Sequence, residues 1–211
     1  MKFTDTIEAW LLRFDEVKIR MRDQLNAPAN ETEISEFEQL IGQPLTDDHK
    51  AFYQYANGQQ SPYKVTYYTD RPNKIELPFP LAEGESVGNL FGGYEFLSLE
   101  QAKKQWIDIK DISKTFSDNN FITVRDGDFV HPHYLDTGWI PLAMDGGGNF
   151  YGVDMNPPEG GIKGQVILFG PDEDQRRVLG NSISDLFNKL AENPISGSVN
   201  EDQRYWFNLS E

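Results

Sequence analysis

The chain has 211 residues, of which 34 are acidic and 19 basic, giving a formal net charge of −15, and it contains no cysteine. The absence of cysteine excludes disulfides, thiolate metal sites and cysteine nucleophiles, and the acidic balance argues against binding to nucleic acid or an anionic membrane. Because no apolar run approaches the ~20 residues of a membrane-spanning helix and no export signal is visible, we expect a cytoplasmic protein with a packed core.

The first 60 residues are predicted to form three helices. Apolar residues at spacings of three and four predict an amphipathic helix over residues 4–25. The second is predicted to begin at Thr32 as N-cap and to end at Ile41, before Gly42, where a residue without a Cβ is favoured. The third is predicted to begin at Thr46, which is again a typical N-cap.

Strand signals become frequent after the third helix. Residues 63–69 are rich in β-forming side chains and predict a strand. The polar, Pro- and Gly-rich passage 70–93 is predicted to be a long loop, and loops of that length are usually functional or mobile. A short strand over 94–97 then leads to a helix that begins at Ser98 with a capping-box pattern and runs to about residue 107.

The second half is predicted to be mostly antiparallel sheet. Two apolar runs, 138–144 and 150–155, are joined by a Gly-rich turn and predict a hairpin. Strands over 165–169 and 176–179 and a last helix capped by Ser182 follow. Helices first, then a meander, then a closing helix is the order of an α+β fold, with N-terminal helices packed on a mostly antiparallel sheet.

Two stretches resemble the signature segments of a known family. Residues 34–58, ISEFEQLIGQPLTDDHKAFYQYANG, resemble its opening pair of helices, and residues 138–190, which begin GWIPLAMDGGGNFYGVD, resemble its hairpin and closing helix. In this order and at this separation, the two blocks resemble the SUKH superfamily over about residues 33–192. The chain departs from the opening pattern at Ile41-Gly42, where Leu-Gly is usual, and at His49, where tyrosine is common.

The resemblance implies helices packed on a curved antiparallel sheet. Together with an extra N-terminal helix that the resemblance does not explain, it predicts one SUKH-like domain over residues 1–194, followed by a polar tail over 195–211. The superfamily includes fungal Smi/Knr regulators of cell-wall synthesis and bacterial immunity proteins that bind and silence toxins, often nucleases. The resemblance implies no catalytic residue and no cofactor, so we expect a protein-binding module and not an enzyme. Within the tail, the aromatic cluster 205–207 is predicted to pack back onto the core.

Two other clusters could carry chemistry. The segment from Asp145 to Asn149 is Gly-rich, but a strand follows it and its acidic spacing does not fit a calcium loop, so a turn is predicted. His131 and His133 with Asp136 are the only group that resembles a metal site, and an ordinary surface loop is the expectation for them. A hydrolase that uses these histidines is the alternative from a different class.

The leading hypothesis is an immunity protein whose acidic face binds a basic toxin domain, with a regulatory interaction module like the fungal relatives as the alternative. Complementary charge would speed association with such a partner. The candidate contact residues are acidic and stand in predicted loops with no evident packing role: Glu83, Glu85, Asp145, Asp154, Asp172, Glu173 and Asp174.

Overall fold

A computed structural model describes residues 2–62, 64–72, 74–115, 121–201 and 203–207, and in β-strands it leaves out the side chains of Val65, Trp206 and Phe207. The helices are α1 (Phe3–Glu16), α2 (Met21–Gln24), α3 (Glu31–Ile41), α4 (Asp47–Tyr55), α5 (Leu99–Ser113) and α6 (Ile183–Ala191). Within the described residues, no helix has the length and apolar character needed to cross a membrane.

The strands form one central sheet and two small hairpins. Their bounds are β1 (Lys64–Thr66), β2 (Lys74–Glu76), β3 (Glu95–Phe96), β4 (Thr123–Val124), β5 (Trp139–Met144), β6 (Phe150–Asp154), β7 (Gln165–Phe169), β8 (Gln175–Gly180), β9 (Gly197–Val199) and β10 (Tyr205–Phe207). The central sheet has the order β3-β5-β6-β7-β8-β4, and only the β4–β8 pair is parallel. The predicted α+β class with a mostly antiparallel sheet is confirmed.

The central sheet separates two clusters of buried side chains. Along β7, Val166 and Leu168 belong to the larger cluster, whereas Ile167 and Phe169 belong to the smaller one. This alternation is what a strand buried on both faces requires. Helices α1, α4 and α6 contact one another over the larger cluster, where the Phe52 ring stacks on Phe96 at 4.2 Å between centroids. Both faces of the sheet are therefore covered.

The first helix is shorter than predicted. It ends at Glu16, and Lys18 takes a left-handed conformation with φ of 58°. The backbone then pairs with a distant segment, since Ser86 N donates to Lys18 O and Arg20 N donates to Ser86 O. Met21 lies beyond the end of α1 but is buried in the core, and this is why the apolar pattern of the sequence continues past Glu16. The prediction of one helix over 4–25 is therefore wrong in its second part.

The helix ends follow local side-chain chemistry. The predicted N-cap Thr32 is wrong, because Asn30 caps α3 in a reciprocal capping box with Glu33. Thr46 caps α4 and Gly42 takes a left-handed φ of 77°, both as predicted. The capping box at the start of α5 is also confirmed, although that helix continues to Ser113 instead of ending near residue 107.

The segment 70–93 is more structured than predicted. Its first part contributes β2, which pairs with β1 in a small hairpin. Its second part enters the core, where Val87, Leu90 and Phe91 are fully buried. The composition of the segment is dominated by polar and glycine residues and therefore predicts a loop, although these three apolar side chains belong to the core.

The C-terminal segment returns to the core. Strands β9 and β10 form a hairpin, and Tyr205 N donates to Val87 O at 2.7 Å. The Tyr205 side chain is buried and belongs to the larger cluster. The prediction that the aromatic cluster 205–207 packs on the core is confirmed for Tyr205, and the side chains of Trp206 and Phe207 lie outside the described part.

Candidate functional site: an acidic turn surface beside a cavity

The turn between β5 and β6 is organised by one carboxylate. Asp145 Oδ1 accepts hydrogen bonds from the amides of Gly147 and Asn149, both at 2.8 Å, and its Oδ2 accepts one from Asn149 Nδ2 at 2.8 Å. Gly148 supplies the positive φ of 88° that the bend needs. The Gly-rich segment is therefore the predicted turn, held in a fixed geometry by its own side chains.

A second turn, between β7 and β8, is joined to the first. Asn149 Nδ2 also donates to Asp172 Oδ2 at 3.2 Å, while Asp172 N donates to Asn149 Oδ1 at 2.9 Å. The two turns are so close at Gly170 that a Cβ there would lie 2.4 Å from Asn149 Cα. Because both the backbone and the side chain of Asp172 are tied to Asn149, the two turns form one rigid unit.

We call Asp145, Asp172, Glu173 and Asp174 the acidic turn surface. Asp172 and Asp174 are exposed, and Asp145 and Glu173 are half-buried. Glu173 pairs with Arg177 at 3.4 Å, whereas no cation within the described residues lies within 4 Å of the other three carboxylates. The structure thus brings four of the seven predicted contact residues together, and three of them have no cationic partner there.

A buried arginine fixes the position of this surface. Arg176 is fully buried, and its guanidinium donates to the backbone carbonyls of Glu173, His133 (3.1 Å) and Tyr134 (2.8 Å). It also lies over the Trp139 ring at 5.6 Å. Burial lowers the pKa of Arg176 to about 10. Arg176 was not predicted, because nothing in the local sequence distinguishes a buried arginine from an exposed one.

Asp154 does not belong to the surface, and its prediction as a loop contact residue is wrong. It ends β6 and is fully buried. Its carboxylate accepts hydrogen bonds from Asn156 N at 3.0 Å and Gln165 Nε2 at 3.0 Å. Burial raises the pKa of Asp154. The Pro/Gly-rich loop that follows it in the sequence made this strand end resemble a loop.

Glu83 and Glu85 lie elsewhere, and Glu85 is next to a basic side chain. Glu85 pairs with Arg20 at 3.0 Å and accepts a hydrogen bond from Ala82 N at 2.8 Å. The Ala82 amide and then Arg20 hold the pKa of Glu85 below its usual value. Among the described contacts, none connects either glutamate to the acidic turn surface. We therefore treat them as a separate region, in which Glu85 is paired with Arg20.

A cavity of about 800 Å³ adjoins the acidic turn surface. It lies between α1, α6, the sheet and the segment 192–196, which we call the strap. Tyr94 and Tyr151 stack at its rim with 4.4 Å between ring centroids, and the Tyr94 hydroxyl donates to Glu173 at 3.5 Å. Burial first, and then the charges of Glu173 and Asp145, raise the pKa of Tyr94. The cavity was not predicted, because its lining comes from separate parts of the chain.

The comparisons with known proteins show the family of this chain. Residues 28–189 match the family described as SMI1 / KNR4 family (SUKH-1). The chain belongs to this family. It is 23% identical to KNR4/SMI1 homolog 2 of Debaryomyces hansenii over 222 residues, covering 94% of this chain and 36% of that protein. The resemblance to the SUKH superfamily is thereby confirmed.

Two further relatives carry descriptive names. The chain is 30% identical over 132 residues to the cell wall biosynthesis/cell cycle regulator smi1 of Schizosaccharomyces pombe, covering 56% of this chain and 26% of that protein. It is 23% identical over 164 residues to the cell wall assembly regulator SMI1 of Saccharomyces cerevisiae, covering 60% of this chain and 32% of that protein. This chain therefore spans about a third or less of the length of these relatives.

The SMI1/KNR4 match includes the acidic turn surface and Arg176 but only part of the cavity. Trp10 on α1 and the strap line the cavity and lie outside residues 28–189. The match also includes the histidine cluster. There His131 and His133 stack at 5.0 Å between ring centroids, and His133 Nδ1 lies 2.7 Å from Asp136 Oδ2. Within the described ranges, no group of three or more ligand-type side chains is placed to hold a metal ion.

Proposed function

We propose that this chain is a regulatory protein-binding module that holds a basic partner protein on its acidic turn surface. The observation that carries the proposal is that Asp145, Asp172 and Asp174 lie on two rigidly joined turns without a cationic partner among the described residues. The names of the fungal relatives, which describe regulators and not enzymes, support the regulatory part.

Carboxylates that are held rigidly and have no cationic partner among the described residues favour the binding of a basic protein, for two physical reasons. The side chains of Asp145 and Asp172 are already fixed by Asn149, so binding requires little further ordering. The net charge of −15 also gives the whole chain a negative field, which speeds encounter with cations and repels phosphate backbones. Nucleic acid is accordingly an unfavourable ligand for the same surface.

Toxin neutralisation is the second candidate. The same acidic surface and net charge of −15 would complement the basic cleft of a toxin that cleaves nucleic acid, and occupying that cleft would block it. The relatives' printed names describe regulators of cell wall biosynthesis and assembly, so they favour the regulatory role. The identity of a bound partner distinguishes the two candidates.

The experiment is a quantitative affinity purification from the native cells with three tagged chains. The first is the wild type, and the second carries Asp172→Lys and Asp174→Lys, which remove the bond from Asn149 Nδ2 to the residue 172 side chain but keep the one from the residue 172 amide to Asn149 Oδ1. The third carries Glu36→Lys and Glu159→Lys, which change the net charge equally at exposed residues away from the turns. Thermal unfolding of all three first shows that each is folded.

We expect the wild type and the Glu36/Glu159 variant to retain one basic protein, and the Asp172/Asp174 variant to retain at least about tenfold less, as the loss of close charge pairs implies. A cell-wall or signalling protein would support the regulatory role, and a nuclease-like protein would support toxin neutralisation. Equal recovery by all three chains would refute the proposed binding surface.

A further inference from the structure

The connection between β6 and β7 carries exposed apolar side chains. Phe129 and Ile162 are both large and apolar, and they remain 51% and 48% exposed. The Phe129 ring lies against the backbone of this connection, so closely that a Cβ on Gly160 would lie 2.7 Å from the ring. We call Phe129 and Ile162 the apolar patch. Exposed apolar side chains that lie beside one another, unlike single scattered ones, mark interaction sites.

A buried amide fixes the apolar patch from below. Gln165 begins β7 and is only 2% exposed. Its Nε2 donates to Phe129 O at 2.7 Å, and its Oε1 accepts a hydrogen bond from Ile162 N at 3.1 Å. The same Nε2 donates to the buried Asp154 at 3.0 Å. One core side chain thus holds the backbone of both exposed residues, so binding at the patch requires little further ordering.

The apolar patch is bordered by one acid and one base. Glu159 and Lys163 are exposed, and neither belongs to an ion pair among the described residues. Lys163 Nζ donates to the neutral side chain of Gln43 at 3.0 Å. Residues 155–165 contain no other charged side chain, and residues 129–135 contain no acid, lysine or arginine. In a chain of net charge −15, this locally neutral region is where a second acidic chain meets less repulsion.

These features fit a second copy of the same chain. We propose that two copies associate through the apolar patch about a two-fold axis. In such a contact the same surface meets itself, so the patches of the two copies pack together. Glu159 of each copy then pairs with Lys163 of the other. A basic partner would face Lys163 and an acidic partner would face Glu159, so each would oppose one like charge.

Self-association and the proposed partner binding use opposite ends of the sheet. The connection that carries the apolar patch joins one end of β6 to β7, and the two turns of the acidic turn surface lie at the other end of these strands. Strands of five residues separate the two ends by about 16 Å. The dimer therefore leaves both acidic turn surfaces open. The inference goes beyond the proposed function and does not depend on it.

The test measures the mass of the full chain by sedimentation equilibrium at concentrations up to about 1 mM, which covers weak interfaces. Ile162→Ser removes one side chain of the patch, and Leu12→Ser on α1, where the leucine is 55% exposed, is the matched control. Glu159→Lys and Lys163→Glu each place like charges opposite one another, twice in every dimer. Glu83→Lys makes the same change in net charge as Glu159→Lys at an exposed residue of another segment. Thermal unfolding first shows that each variant is folded.

We expect the wild type to dimerise, and Ile162→Ser, Glu159→Lys and Lys163→Glu each to weaken the dimer at least about tenfold. Leu12→Ser and Glu83→Lys should leave the dissociation constant within about threefold, because surface substitutions outside a contact have small effects. Glu159→Lys lowers the overall negative charge, so a weaker dimer in this variant cannot arise from repulsion between whole chains.

The most specific measurement mixes the Glu159→Lys chain with the Lys163→Glu chain. Under the two-fold arrangement, both contacts of the mixed pair again join opposite charges. Native mass spectrometry should therefore show the mixed dimer in excess over either dimer of identical chains. A mixture without this excess would overturn the inference.

Two other results would also overturn it: a wild type that stays monomeric at about 1 mM, or a dimer that Ile162→Ser leaves intact. The proposed function is tested separately. The chain with Glu36→Lys and Glu159→Lys should lose the dimer and still retain the basic partner, because its acidic turn surface is unchanged.

Discussion

His49 provides a test of the core that can be worked through quantitatively. It lies on α4, is fully buried, and packs against Tyr53 with 5.3 Å between ring centroids and a tilt of 32° between the rings. Neither ring nitrogen has a hydrogen-bond partner among the described residues. Burial lowers the pKa of His49 from its ordinary value of 6.5 to about 3. The folded protein therefore holds this imidazole neutral.

The depressed pKa of His49 makes the free energy of unfolding depend on pH. Between pH 6.5 and about 3, the unfolded chain binds a proton at His49 that the folded chain does not. Stability therefore falls as the pH falls through this window, by about 1.4 kcal/mol per pH unit well inside it. From pH 7 to pH 5, the contribution of His49 to the free energy of unfolding should decrease by about 2 kcal/mol.

The assay compares the wild type with His49→Leu by urea unfolding at pH 7, 6 and 5. Leucine is close to histidine in volume and removes both the titration and the two unpaired nitrogens. We expect the variant to be at least as stable as the wild type at pH 7, because an unpaired buried polar group costs about 1–3 kcal/mol. The carboxylates titrate in both proteins, so the difference between the two curves isolates His49.

Between pH 7 and pH 5, the wild type should lose about 2 kcal/mol more than His49→Leu. Parallel curves would show that His49 titrates alike in the folded and unfolded states, and would refute the account of an unpartnered, buried imidazole. A wild type that gained stability relative to the variant on acidification would require a carboxylate partner for His49 and would contradict the described packing.

Two further predictions concern single substitutions measured by urea unfolding. Arg176→Leu leaves three backbone carbonyls without their donor and should cost at least about 3 kcal/mol, whereas Arg177→Leu on the next residue should cost about 1 kcal/mol or less; similar losses would refute the anchoring role. Gly42→Ala should lower the free energy of unfolding by about 1 kcal/mol, because a Cβ there has no close neighbour and only the positive φ is unfavourable. Gly58→Ala also places a Cβ 2.4 Å from Ser98 N and should cost at least about 2 kcal/mol more, and equal losses would contradict that close approach.

The features that could be predicted from the sequence are those fixed by neighbouring residues. The cap at Thr46, the left-handed Gly42 and the capping box at Ser98 depend on side chains within three or four positions, so their local pattern was sufficient. The turn at Asp145 is also closed by residues within four positions. The cap at Asn30 was missed although its capping-box partner stands three residues later in the sequence.

The features that could not be predicted depend on contacts between distant segments. The first helix ends early because the backbone after Glu16 pairs with Ser86. Asp154 is accommodated at the buried end of β6 because Gln165 on the next strand donates to its carboxylate. The acidic turn surface needs Asn149 to join two turns, and the cavity needs α1, α6 and the strap together. The sequence shows where the acidic residues stand along the chain. Which of them are exposed and which are buried and hydrogen-bonded depends on the tertiary packing.

The most direct test of the acidic turn surface is the association rate of the recovered partner, measured by interferometry at about 0.05 M and about 0.5 M salt. We predict that Asp172→Lys with Asp174→Lys slows association about tenfold at the lower salt and much less at the higher salt, while Glu36→Lys with Glu159→Lys leaves the rate nearly unchanged. Equal slowing by both pairs would show that only net charge matters, and a salt-independent rate would contradict electrostatic binding altogether.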